Sequence, residues 1–409
     1  MNGLTMNAGS GAFWKQVFPG CGFFLALGGL LLGATPGPAA EASAPQVNLP
    51  AGGDASLRHE VEHAIEKGLD WLAKHQETNG SWSTPDYPAL TALPLMAFES
   101  RPGRQPQAAE PEVVKKGYDF VLSCVQADGG IYNQGKLPSY NTSVCLMALV
   151  VGDRSDSVNI IANARRFLVG LQDLGDPADT NNPITGGIGY GLPDKHPDLS
   201  NTSLALEALY HSKQYLADRN VTAAKDLNWN AAIQFIQNCQ NLPGTNSQSW
   251  ASGDPQNRGG FVYAPGSSKA GETNLPAGRV ALRSYGSMSY AGLLSYIYAD
   301  LKPDDPRVSA VMDWLRANYT LEENPGMGQE GLFYYYHTMA KALTQAGVNS
   351  FQTPDGQTIK WRQQLVLKLL NLQNADGSWA NANGRWLEKD PVLVTSYAII
   401  ALNLIDRKL

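Results

Sequence analysis

Charge is scarce in this chain, and cysteine scarcer still. Only 17% of the 409 residues are Asp, Glu, Lys or Arg, with a formal net charge of −6. The basic residues are scattered, so there is no electrostatic footprint for nucleic acid or for an anionic lipid surface. Of four cysteines, Cys21 lies in an apolar run without a good lipobox before it. The other three, Cys124, Cys145 and Cys239, have no metal-type spacing and read as buried apolar thiols, one disulfide remaining open to an oxidising compartment. There is one long apolar run, Val17 to Ala34 after Lys15, short for a spanning helix. Small residues follow at Ala40-Glu41-Ala42 and Ala42-Ser43-Ala44. Residues 1–44 therefore read as a secretory signal cleaved near Ala40–Ala44, which predicts a secreted or periplasmic protein that meets a membrane only through an uncleaved signal.

What is present is repetition. The stretch Asn371-Leu372-Gln373-Asn374-Ala375-Asp376-Gly377-Ser378-Trp379 recurs in degraded copies: a helix-closing aromatic or aliphatic pair, a Gln, a Gly turn, then a large side chain. Gln76 leads to Gly80-Ser81-Trp82, Gln126 to Gly129-Gly130-Ile131-Tyr132, and Gln172 to Gly186-Gly187-Ile188. Gln240 leads to Gly259-Gly260-Phe261, and a fifth copy has Tyr319 in place of the Gln, before Gly331-Leu332-Phe333. Self-similarity at this period means one supersecondary unit repeated, each copy unable to bury its apolar face alone. Length alone suggests two or three domains; the repeats predict one, over residues 55–409, after a Pro/Gly linker at 45–54.

Each unit pairs an amphipathic helix with an apolar one. The first kind, such as Glu112 to Gln126 and Val308 to Ala317, is charged on one side and belongs outside; the second has little charge on any face and belongs inside. Asn141-Thr142-Ser143, Asn201-Thr202-Ser203 and Thr395-Ser396 open inner helices and suit N-caps. Six such pairs predict an all-α, closed α/α toroid of about six inner and six outer helices around a central cavity. Its mouth is expected to carry Trp82, Tyr132, Tyr190, Tyr285, Tyr334, Tyr335, Tyr336, Trp379 and Trp386. Longer insertions at Asp218 to Trp229 and Gly266 to Gly278 fall on loops, one of them a candidate lid. The first helix also contains His59-Glu60-Val61-Glu62-His63, which matches a zinc-protease pattern. Its imidazoles point away from the apolar stripe Leu57, Val61, Ala64, Ile65, Leu69 and Leu72, so no metal is expected there.

The Gln-x-x-x-Gly-Ser-Trp turns at Gln76 and Gln373, with the starts of the inner helices, resemble the terpene cyclase and protein prenyltransferase superfamily of α/α toroids across residues 55–409. The resemblance implies the fold directly and the chemistry only residue by residue. Squalene- and hopene-type cyclases carry Asp-x-Asp-Asp-Thr-Ala at an inner-helix start, the middle Asp delivering the initiating proton. Here that frame reads Asp198-Leu199-Ser200-Asn201-Thr202-Ser203: the frame is kept and the acid is replaced by Ser200, which cannot protonate an alkene. Prenyltransferases hold zinc with an Asp, a Cys and a His; the matching places read Tyr285-Gly286-Ser287 and Tyr336-His337-Thr338, and His337 alone cannot hold Zn²⁺ tightly.

These readings predict no metal and no cofactor. They favour a protein that binds an apolar, isoprenoid-like molecule or a protein partner in an aromatic cavity. The alternative is a diverged cyclase whose proton comes from another carboxyl, with Asp198, Asp390, Glu330 and His337 as candidates. A minor third reading is a glycan-active α/α barrel with paired carboxylates.

Overall fold

The structure, a computed structural model, describes residues 53–103, 110–176, 179, 181–191, 196–222 and 225–408. The signal segment 1–44, Cys21 and most of the linker lie outside the described residues. Twelve α-helices occur among them: α1 (Gly53–Lys74), α2 (Ala89–Glu99), α3 (Glu112–Ser123), α4 (Pro138–Val151), α5 (Val158–Gly170), α6 (Leu199–Ala217), α7 (Trp229–Asn238), α8 (Gly286–Tyr298), α9 (Pro306–Ala317), α10 (Leu332–Gln345), α11 (Trp361–Leu372) and α12 (Pro391–Asp406). Among the described residues, strands besides isolated bridges are confined to two short hairpins, β1 (Glu272–Asn274) with β2 (Val280–Leu282) and β3 (Phe351–Gln352) with β4 (Thr358–Ile359). None of the described helices is long and apolar enough to cross a membrane.

The even-numbered helices are buried on nearly every side. Each packs on the next, α2 on α4, α4 on α6, α6 on α8, α8 on α10 and α10 on α12, and α12 packs back on α2. The six apolar helices thus form a closed ring, with α1, α3, α5, α7, α9 and α11 outside it. At the seam, Asn403 Nδ2 on α12 donates to the Ala97 carbonyl at 3.0 Å and to Ser100 Oγ at 2.9 Å.

The repeated turn explains itself in hydrogen bonds. Four of the five Gln residues reach past their own turn to the following outer helix or its N-cap: Gln76 Nε2 donates to Val113 O, Gln172 Nε2 to Asn228 O, Gln240 Nε2 to Arg307 O and Gln373 Nε2 to Ala64 O, whereas Gln126 Nε2 stays within its turn, on Cys124 O and Tyr132 O. Where the Gln is missing, Tyr319 does the same work by donating its hydroxyl proton to Gln364 Oε1 on α11. In five units the turn glycine lies flat against the following outer helix, whereas in the remaining one Gly331 opens α10 and meets the Trp386 ring instead. Gly259 has φ +93° and a Cβ there would sit 2.1 Å from Ala310 O, so any side chain is excluded twice over.

The inner-helix hydroxyls are not the N-caps that their position suggested. Thr142, Thr202 and Thr395 lie a turn inside α4, α6 and α12, and each accepts the N–H of the residue that follows its turn glycines: Ile131, Ile188 and Trp379. Thr91 and Ser289 do likewise for Trp82 and Phe261. The first amides of most inner helices are instead satisfied by a neighbouring unit. Ala89 N donates to Asn141 Oδ1, Ser139 N to Tyr190 O, Leu199 N to Tyr263 O and Gly286 N to Pro325 O. These orphan donors all sit at one end of the ring, so the caps form a hydrogen-bonded belt around that mouth.

Candidate functional site at the mouth of the ring

Between α6, α8 and α10 the belt gathers polar and aromatic side chains around one carboxyl. Asp198 is the N-cap of α6: its carboxylate accepts from Asn201 N at 2.9 Å and Asn201 Nδ2 at 2.7 Å, and the Tyr263 hydroxyl hydrogen-bonds it as well. Burial outweighs those donors and pushes the carboxyl up to about 6. Tyr263 is itself held far above a phenol's usual range, by burial first and then by the Asp198 charge, and Tyr190 hydrogen-bonds it. Tyr285, the N-cap of α8, lies close enough to feel Tyr334, Asp198 and Arg385.

Two cations approach the cluster from separate loops. Lys269, in the insertion before β1, lies 4.2 Å from the centroid of the Tyr263 ring. Burial, with Arg385 nearby, draws its pKa down against the pull of Asp198. Arg385 pairs with Glu330 and covers the Trp386 ring at 4.8 Å. Trp386 is half-buried, has φ +56° and rests against Gly331.

The side chains on α10 divide by face. Tyr334 and His337 turn toward α12, where the Tyr397 ring lies at 6.2 and 4.9 Å. One turn further on, Lys341 pairs with Glu207 of α6, a helix that does not adjoin α10 in the ring. That pair crosses in front of α8, so the stripe Tyr334, His337 and Lys341 is the one that faces the axis. Tyr335 and Tyr336 face the other way, donating their hydroxyls to Thr320 O and Leu321 O. Ser203 and Tyr334 each keep 6% of their surface exposed inside the ring.

Several expected lining residues stand elsewhere. Trp82 and Trp379 are fully buried and point outward, their indole N–H groups donating to Leu72 O and Leu369 O in the layer between inner and outer helices. They are packing residues. Tyr132 lies over the outer layer, its ring 5.8 Å from Phe167 and its hydroxyl on Asp128. Asp390 caps α12 through Val392 N and accepts from Ser83 Oγ, joining the first and last units rather than entering the Asp198 cluster. His59 is 82% exposed and pairs with Glu62, and no group of three His, Cys, Asp or Glu side chains among the described residues is placed to hold a metal ion. Cys124, Cys145 and Cys239 are buried and unpaired with one another.

Tyr263 escaped the sequence reading, although it repeats Tyr190: Gly259-Gly260-Phe261-Val262-Tyr263 beside Gly186-Gly187-Ile188-Gly189-Tyr190. Glu388 also escaped it. Helix α10 opens on Gly331 without a side-chain cap, and Glu388 supplies one from the next unit, accepting from Tyr334 N at 2.8 Å, Phe333 N at 3.3 Å and Asn381 Nδ2 at 2.6 Å. Burial, against those donors, raises it to about 7. For a carboxyl so raised, the stability it contributes is full below its unfolded value and is lost as pH rises through about 7. Stability measured by denaturant titration should therefore fall between pH 5 and 8 in the native protein. Glu388→Gln should flatten that part of the profile, and an unchanged slope would assign it to another group.

No protein-family model matches the sequence, and no curated protein matches it. Solved structures do share the fold. The ligand-free type II terpene cyclase MstE from Scytonema aligns with a TM-score of 0.51 and 10% identity, over 86% of this chain and 99% of that one. A ligand-free tyrosine-to-phenylalanine variant of the same enzyme gives 0.51 and 11%, over 87% and 99%. A family 15 glucoamylase from Hypocrea jecorina gives 0.45 and 14%, over 87% and 72%. At these identities the likeness is one of fold: the chain has the α/α toroid architecture seen in a type II terpene cyclase.

Proposed function

We propose that this protein is an exported binding toroid whose mouth takes a small, largely apolar molecule of isoprenoid type and leaves it chemically unchanged. The observation that supports this reading is the cluster of Tyr190, Tyr263, Tyr285 and Tyr334 around Asp198 at one end of the ring, with Ser200 where a cyclase would need its acid. Aromatic walls bury apolar surface well, and Lys269 and Arg385 at the rim suit a polar or anionic head.

The second reading is cyclisation with Asp198 as the acid, since it is buried and hydrogen-bonded at an inner-helix start. Its raised value of about 6 keeps part of it protonated near neutral pH, as a general acid must be. Against the role stands its engagement as the cap of α6, accepting from Asn201 N and Nδ2.

Quenching of the half-buried Trp386 during titration with farnesol tests both readings. The expected result is saturable binding, weakened about tenfold by Tyr334→Ala, roughly the loss of a buried aromatic contact, with no cyclic product by gas chromatography. Absence of saturable binding for any linear isoprenoid would defeat the binding reading. A cyclic product that disappears in Asp198→Asn would replace it with the second.

A further inference from the structure

We infer that the buried Glu207–Lys341 pair is the floor of the binding site and sets the length of apolar chain that it accepts. This rests on the binding reading above. Glu207 and Lys341 have 2% and 1% of their side-chain surface exposed and belong to α6 and α10, which are separated in the ring by α8. A pair that reaches between second neighbours must pass through the interior, here more than two helical turns along α6 from Asp198.

The surroundings make this crossing polar and firm. Tyr298 of α8 lies beside Glu207, and its ring meets that of His211 at 5.6 Å. Burial, aided by the Lys341 charge, lowers His211 to about 3 and keeps it neutral. An apolar chain that pushed past this plane would strip the pair of its mutual contact or bury methylenes against two charges, and both are costly.

Helix geometry gives the depth. Glu207 stands eight residues beyond Leu199, the first residue of α6, and at ~1.5 Å per residue the floor lies ~12 Å below the mouth. An extended chain advances ~1.3 Å per bond, judged from the spacing of consecutive Cα atoms, so roughly nine or ten bonds fit above the floor. Geraniol, with roughly eight bonds from its oxygen to the end of its main chain, fits within the shaft; farnesol, with about twelve, fills it and holds its hydroxyl end at the rim; geranylgeraniol, with about sixteen, must leave several bonds of its chain in water.

The test compares dissociation constants for geraniol, farnesol and geranylgeraniol in the native protein and in the double variant Glu207→Leu/Lys341→Met, which removes both charges together. The native protein is expected to bind farnesol about tenfold more tightly than geranylgeraniol, and the double variant to lose that preference while holding farnesol within about threefold. A native protein indifferent to chain length, or a folded double variant that keeps the tenfold preference, overturns the inference and leaves the binding reading standing. Failure of every alcohol to bind the native protein overturns the binding reading itself. Should the double variant not fold, Ser203→Phe carries the test on an intact floor. By filling the shaft one turn above Glu207 it should shift the preference from farnesol to geraniol, and an unchanged order would equally overturn the inference.

Discussion

Lys341→Met alone is expected to destabilise the protein by ~3–5 kcal/mol, the usual loss when one partner of a buried ion pair is removed. The variant leaves the Glu207 carboxyl inside the ring without its cation, and burial already raises that carboxyl above its ordinary value. Removing Lys341, which lowers it, raises it further. The stability of the variant is then greatest at low pH, where Glu207 is protonated, and falls as pH climbs through the new value, so the deficit should grow between pH 5 and 8. The double variant Glu207→Leu/Lys341→Met should recover to within about 1 kcal/mol of the native protein, because replacing both charges by apolar groups of similar volume is commonly neutral. Guanidinium titrations of the three proteins check this. Equal losses in the single and double variants would show that the pair is held by packing alone.

Trp379→Ala is the second large effect, at ~3–5 kcal/mol for emptying a fully buried indole site. The ring packs against Gly68 of α1, so near that a Cβ there would lie 2.9 Å from it, and its N–H donates to Leu369 O at 2.8 Å. Trp82→Ala should cost about as much by the same geometry, whereas Tyr132→Ala, over the outer layer, should cost under ~1 kcal/mol. In an open repeat array the weakened unit would fray first. Here α12 packs on α2, no unit is terminal, and the loss should appear as one shifted transition. A separate early phase in Trp379→Ala would mean that the units at the seam unfold on their own.

The turns were legible because each is a local device repeated along the chain: the order of Gln, Gly and large side chain recurs although the interval from Gln to Gly stretches from three residues at Gln126–Gly129 to nineteen at Gln240–Gly259. The direction of the large side chain was not legible. Trp82 and Trp379 look like mouth aromatics in sequence, yet the bridge that pairs Gln76 with Trp82 turns the indole toward the outer helices, and periodicity along one chain does not register that. The same limit hid the caps. Asn, Thr and Ser near a helix start usually cap it, but here the hydroxyls bind the preceding turn while a neighbouring unit supplies the acceptors. Tyr334 and His337 were legible in part, since four consecutive helical positions advancing ~100° each must put some on the inner face. Glu207 with Lys341 and Glu388 with α10 were not, because each partnership depends on which helices meet across the ring, and its members lie 134 and 54 residues apart.

The seam between the first and last helices bears on more than stability. Arg58 Nη2 near the start of α1 donates to the Asp406 carbonyl at the end of α12, 3.1 Å away, and Gln373 reaches Ala64 just as Gln76 reaches Val113. The joint between the two ends of the helical chain is therefore built like the joints between consecutive units. Topologically the ring has no privileged origin: a circular permutant opened in the loop between α6 and α7, with α12 tethered to α1, would keep every contact between helices. The same closure fixes the copy number. A unit can be neither gained nor lost without changing the circumference of the ring and the span that Glu207 and Lys341 must bridge, so divergence in such a chain is channelled into its loops and its lining and away from its length.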